Sequence, residues 1–164
     1  MRTILPQIIA ERAAGRDCVL VSLIADTGSA PRGKGSLMLV GAQGRIAGTV
    51  GGGAIERHCE NMGKTLTAEK RSGIHEFILR ANKTEDIGMI CGGNVTAQFQ
   101  FIPAESPLWD EVLRIAQERM AAHRHGWLIL REDGGTPTLA ADGQCLAGEQ
   151  LSAETLDALC RKQC

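Results

Sequence analysis

Apolar residues recur along this chain with two different periods, and the switches between them set out the expected elements. Leu5, Ile8, Ile9 and Ala13 fall at helical spacing within residues 3–14, where Pro6 suits a first turn and Gly15 a left-handed cap. Residues 18–25 are almost continuously apolar and rich in β-branched side chains, as in a strand covered on both faces. A strand resumes over 36–40 after a glycine-rich loop, and the turn Gly41-Ala42-Gln43-Gly44 leads into residues 45–50, which predicts a hairpin. Ile55, Cys59, Met62 and Leu66 then mark one face of a helix over 54–66.

The second half repeats the alternation. Residues 74–79 alternate weakly, whereas Val95, Ala97, Phe99 and Phe101 alternate with Thr96, Gln98 and Gln100, which predicts a half-exposed strand. Ser106 followed by Pro107 starts a helix whose inner face is Trp109, Val112, Leu113, Ala116 and Met120. Residues 127–130 and 138–141 suit a second hairpin, and Ser152 caps a last helix carrying Leu156 and Leu159. The order implies an α/β or α+β fold, a mixed sheet with flanking helices. Pro103 to Pro107 offers a boundary between a motif-bearing domain, 1–105, and a small C-terminal α/β extension, 106–164, that is either separate or part of the same domain.

Composition narrows the function classes. The 164 residues are 43% apolar, enough for a sizeable core in one domain. Lys+Arg number 18 against 19 Asp+Glu with no basic block, so the surface lacks the field that binding to a nucleic-acid backbone requires. Pro6 and the charges after it interrupt any secretory apolar core, and no later stretch is long enough to cross a bilayer, so a cytoplasmic protein is expected. Six cysteines without framework spacing then read as reduced thiols.

The candidate chemistry sits on glycines. In Gly48-Thr49-Val50-Gly51-Gly52-Gly53-Ala54-Ile55-Glu56, three adjacent glycines join a strand-like to a helix-like segment, so bare backbone N–H groups at a helix start can cradle an anion. A tight turn is the other use of such glycines. Glu56, in the first helical turn, either favours the helix dipole or accepts hydrogen bonds from a neutral heterocycle. Cys91 stands beside Gly92 and Gly93, which strip away side-chain cover, whereas Cys18 and Cys59 fall on apolar faces as core residues.

Better-known sites fit less well. Gly28-Ser29-Ala30-Pro31-Arg32-Gly33-Lys34 approaches a phosphate-binding Walker loop, but Gly35 takes the hydroxyl position and a strand follows where a helix is needed. Arg32 and Lys34 remain able to grip an anion from a loop. The dinucleotide fingerprint lacks its third glycine after Gly53, no Cys-x-x-Cys supports zinc, and Ser29 and Ser36 lie in no nucleophile elbow. The residues alone lead to a small anion-binding domain.

Thr27-Gly-Ser-Ala-Pro-Arg32 with Gly35-Ser-Leu-Met38, then Gly48 through Glu56, then Cys91-Gly-Gly93, resemble the XdhC/CoxI family. These ordered motifs extend over roughly residues 17–103. The resemblance implies a non-enzymatic accessory factor that binds the molybdenum cofactor (molybdopterin) transiently, assists its sulfuration, and delivers it to a xanthine-dehydrogenase-type molybdenum hydroxylase. It implies that Ser29, Arg32, Gly51, Gly52, Gly53, Glu56, Cys91, Gly92 and Gly93 contact the cofactor, with Arg32 on its phosphate and Cys91 near its metal or a transferable sulfur. Implied partners are the hydroxylase apoenzyme, a cysteine desulfurase and a second copy of the chain, with neither nucleic acid nor membrane among them. Many members continue into a Rossmann-like C-terminal domain, and this sequence carries no second glycine fingerprint before Cys164, so that domain is expected to be lacking here. A docking module without cofactor affinity, and a small-molecule enzyme, are the competing readings.

Overall fold

A computed structural model describes residues 1–28, 33–79, 93–135 and 137–162. Its strands form a five-stranded sheet in the order β3-β2-β1-β5-β4 and a three-stranded sheet in the order β6-β7-β8. Helix α1 (Leu5–Ala13) leads into β1 (Cys18–Gly28), β2 (Leu37–Gly41) and β3 (Gly44–Gly48) form the expected hairpin, and α2 (Gly53–Glu69) follows. Strands β4 (Gly73–Leu79) and β5 (Gly93–Ile102) complete the larger sheet. The remainder is α3 (Pro107–Ala121), β6 (Trp127–Ile129), β7 (Thr138–Ala141), β8 (Gln144–Gly148) and α4 (Ala153–Arg161). The α+β alternative is the one realised: every described pairing is antiparallel rather than mixed in direction.

The larger sheet is covered on both sides, as suits a central strand that is almost continuously apolar over residues 18–25. Alternate residues of a strand face opposite ways. Val19, Val21 and Leu23 pack with Ile55, Cys59 and Leu66 of α2, while Cys18 and Leu20 pack with Leu5 and Ile8 of α1 and Trp109 and Leu113 of α3. Each such side chain withdrawn from water stabilises the fold by about 1.5–3 kcal/mol. Gly63, in the middle of α2, brings helix and sheet together: a Cβ there would meet Cβ and Cγ1 of Val40 at 2.9 Å.

Local signals act where the sequence puts them. Gly15 closes α1 with φ +70°, and N–H groups of Gly15 and Arg16 donate to the carbonyls of Arg12 and Glu11 in a Schellman arrangement. Ser106 and Ser152 accept hydrogen bonds from the amides of Trp109 and Thr155 as helix N-caps.

Two features depart from expectation, at β5 and after β7. The polar face of β5 is buried, with Gln98 6% and Gln100 1% exposed, because residues 131–134 lie across it and Gln98 Nε2 donates to the Arg131 carbonyl at 2.7 Å. That strap is itself tied, since Arg131 donates to Asp133 and Glu149 and its guanidinium draws the Asp133 carboxyl down to about 2. Residues 144–148 add a strand, β8, to the predicted hairpin. The stretch around Pro103 is stitched to α1: Arg12 donates to the carbonyls of Pro103 at 2.7 Å and Ser106 at 3.1 Å and to Asp110 Oδ1 at 2.6 Å.

Candidate functional site

Sheet register sets the ends of two glycine motifs side by side and starts the third farther back along the sheet. Strand β1 ends with Gly28 opposite Gly93, the first residue of β5, so the chain leaves the sheet toward one motif where it enters from another. Strand β3 runs from Gly44, opposite Gly41, to Gly48, opposite Met38, whose own partner on β1 is Val21, so β3 points the same way as β1 but finishes level with its middle, well short of Gly28. There Thr49 donates its N–H to the Leu37 carbonyl, and the triple-glycine bend carries the chain over into α2.

The bend needs its glycines for conformation. Gly51, Gly52 and Gly53 have φ of +146°, +104° and +62°, a sequence of angles that side chains bearing a Cβ rarely adopt. A Cβ on Gly52 would meet nothing within 4 Å, so the constraint at that position is backbone geometry rather than packing. Gly52 is the N-cap of α2 and supplies no side chain to close it, and the bend is half-buried to exposed. Amides at an open helix start attract negative charge.

A side-chain relay holds this bend. The Glu56 carboxylate accepts from Arg45 Nη1 at 2.6 Å and from the Thr49 hydroxyl, and Thr49 Oγ1 in turn accepts from the Gly51 amide at 3.2 Å. Both carboxylate oxygens thus have protein partners, and Glu56 braces the loop from inside the first helical turn. Sequence reading singled out Glu56 without Thr49 and Arg45. The Thr49-x-Gly51 spacing is the local signal for the first, since a threonine oxygen readily accepts the amide two residues on. Arg45, on the neighbouring strand, has no such local signature.

Gly51, Gly52, Gly53 and Glu56 are therefore brought together, whereas Gly93 begins its strand opposite Gly28, beyond the level at which β3 leads into the bend. Ser29, Arg32, Cys91 and Gly92 lie outside the described residues. Cys18 and Cys59 are buried thiols, pushed up to about 12 mainly by burial, which suits packing and not nucleophilic chemistry. Among the described residues no cluster of three or more His, Cys, Asp or Glu can hold a metal ion. No described helix is long and apolar enough to cross a membrane.

Comparison with known proteins supplies the biological context. The model of the XdhC and CoxI family matches residues 11–80. The chain is 30% identical over 129 residues to the molybdenum cofactor insertion chaperone PaoD of Escherichia coli K12, an alignment covering 76% of this chain and 39% of that protein. A solved Bacillus halodurans structure described as a xanthine dehydrogenase superposes with TM-score 0.69 over 90% of this chain and 45% of that one. At 16% identity that likeness shows the fold alone. The chain spans less than half the length of either relative.

Proposed function

This chain belongs to the XdhC and CoxI family through residues 11–80, and on that premise we propose that it is an accessory factor that takes the molybdenum cofactor as cargo and assists its sulfuration or its insertion into a xanthine-dehydrogenase-type molybdenum hydroxylase. The observation that carries this reading is the triple-glycine bend, which opens α2 at positive φ and without a side-chain cap. The insertion chaperone among its relatives supports the same reading.

The bend suits an anionic part of such a cargo. Its three glycines turn at positive φ and α2 begins without a side-chain cap, so no capping side chain competes with a phosphate for the amides that follow Gly51, whose own N–H is given to Thr49. The cargo brings a phosphate, a polar heterocycle and a sulfur-ligated metal. In this reading Gly51, Gly52 and Gly53 receive the phosphate, Arg32 pairs with it, and Ser29, Gly92 and Gly93 line the same hollow. Cys91 approaches the metal or a transferable sulfur. Glu56 contributes by holding the bend through Thr49, and Arg45 neutralises its charge beside an anionic ligand. The apoenzyme, a cysteine desulfurase and a second copy of the chain are the partners this role calls for.

The test is cofactor retention after expression in a molybdopterin-producing host, read by native mass spectrometry. Wild type should carry the cofactor, and Gly52→Val and Cys91→Ala, folded by circular dichroism, should lose it. Equal retention in both variants, or none in wild type, rejects the site.

A further inference from the structure

We propose that the cleft between the start of α1, the end of α3 and the second sheet is a binding site for a small amphiphilic anion, an apolar body carrying one carboxylate or phosphate. The cleft encloses about 210 Å³ and its apolar floor includes Leu5, Met120, Leu128 and Leu139. Its rim carries the guanidiniums of Arg2 and Arg124 beside the imidazoles of His123 and His125, and no carboxylate is among the described residues that line it. In a chain of net charge −1, that one-sided lining is a local concentration of positive charge over hydrocarbon.

The rim cations are left without charged partners among the described residues, although the C-terminus of α3 favours positive charge at 123–125. Arg2 and Arg124 form no ion pair or side-chain hydrogen bond with the described residues, in contrast to Arg12, Arg45 and Arg131. Arg2 precedes the N-terminus of α1, where the helix dipole disfavours a cation, so helix electrostatics do not explain its presence. Arg124 and the histidines follow the C-terminus of α3 on a turn that is braced: Arg119 donates to the His125 carbonyl from Nε at 2.9 Å and Nη2 at 2.6 Å, and Nη2 also reaches Asp142 at 2.9 Å. His123 holds φ +54° in that turn. The backbone of that turn is thus held in place beside an apolar floor before any ligand arrives, which lowers the ordering cost of binding.

Size and charge select the ligand class. The volume falls below the roughly 300–1,000 Å³ of pockets for drug-sized molecules, so the body is that of a medium-chain or single-ring compound. Two unpaired guanidiniums suit a carboxylate or phosphate head, which arginine grips through paired hydrogen bonds. The cleft also neighbours the strand leading to the glycine bend, because Ile4, beside Leu5, lies where a Cβ on Gly48 would come within 2.8 Å of its Cδ1. The site stands independently of the cofactor reading.

Titration calorimetry with octanoate, octyl phosphate, octylammonium and acetate, on the full chain at low ionic strength, tests it. Octanoate or octyl phosphate should bind with 1:1 stoichiometry, and octylammonium and acetate should bind at least about tenfold more weakly. Methyl-labelled methionine spectra should show Met1 and Met120 responding to octanoate and Met38 and Met62 unmoved. Arg2→Glu combined with Arg124→Glu, both at exposed positions, should weaken binding by about tenfold or more while circular dichroism stays unchanged. No binding of either anion, equal binding of octylammonium, or full affinity in the folded double variant would overturn the proposal. Should the double variant fail to fold, the Met1 and Met120 response in wild type decides.

Discussion

Thr49 gives its hydroxyl proton to the Glu56 carboxylate while its oxygen receives the Gly51 amide, so one side chain ties the first turn of α2 to the bend that precedes it. Replacing it should loosen both ends of the link. We expect Thr49→Val to lower unfolding free energy by about 1–3 kcal/mol, the range for losing a hydrogen bond to a charged group, and Thr49→Ser to keep most of that stability. Urea denaturation of the two variants checks this, and equal midpoints would show that the hydroxyl carries no weight.

Two glycines four residues apart, Gly48 and Gly52, should fail for different reasons. At Gly52, with φ +104°, an alanine has room but the wrong backbone preference, and Gly52→Ala should cost about 1–3 kcal/mol. At Gly48, with φ +73°, a Cβ would also fall 2.3 Å from the Leu37 carbonyl oxygen. Gly48→Ala should therefore be the more damaging, and thermal unfolding of the pair ranks them.

Arg12 joins α1 to the start of α3 from a side chain only 5% exposed, whereas its partner Asp110 is 67% exposed. Arg12→Met strands the carbonyls of Pro103 and Ser106 away from their donor and should cost about 2–4 kcal/mol. Asp110→Asn alters only the solvated end of the pair and should cost under about 1 kcal/mol. Comparable losses in denaturant would contradict the assignment of the anchor to Arg12.

Thiol reactivity should divide the described cysteines. Cys18 and Cys59, raised to about 12, should resist iodoacetamide at pH 8 in the folded protein, while the partly exposed Cys145 and Cys160 alkylate. The same shift has a consequence for stability. Both thiols stay protonated in the fold above the usual thiol value, near 9, at which the unfolded chain ionises. Their contribution is whole below that pH and declines as pH rises toward about 12. Peptide mapping and alkaline denaturation measure the two effects, and early alkylation of Cys59 would contradict its burial.

The elements whose signals are local were legible from residue order. Ser106 with Pro107, Gly15 after Ala13, and the turn ahead of Gly44 each specify their own geometry within a few positions. The burial of Gln98 and Gln100 depends instead on residues more than thirty positions later, which the alternation in β5 cannot announce. The three partners of Arg12 are equally remote in sequence. At the candidate site, the positive φ angles of Gly51 to Gly53 follow from their side-chain-free chemistry, and Glu56 from its place in the helix. Arg45 was hidden because its strand meets α2 only through the folded hairpin.

With α2 on one broad face of the larger sheet and α1, α3 and the residue 131–134 strap on the other, the strand tips are left as its working margin. There the backbone angles of Gly48 and Gly51 to Gly53 are themselves part of the architecture, so a side chain added at these positions changes conformation and endurance together.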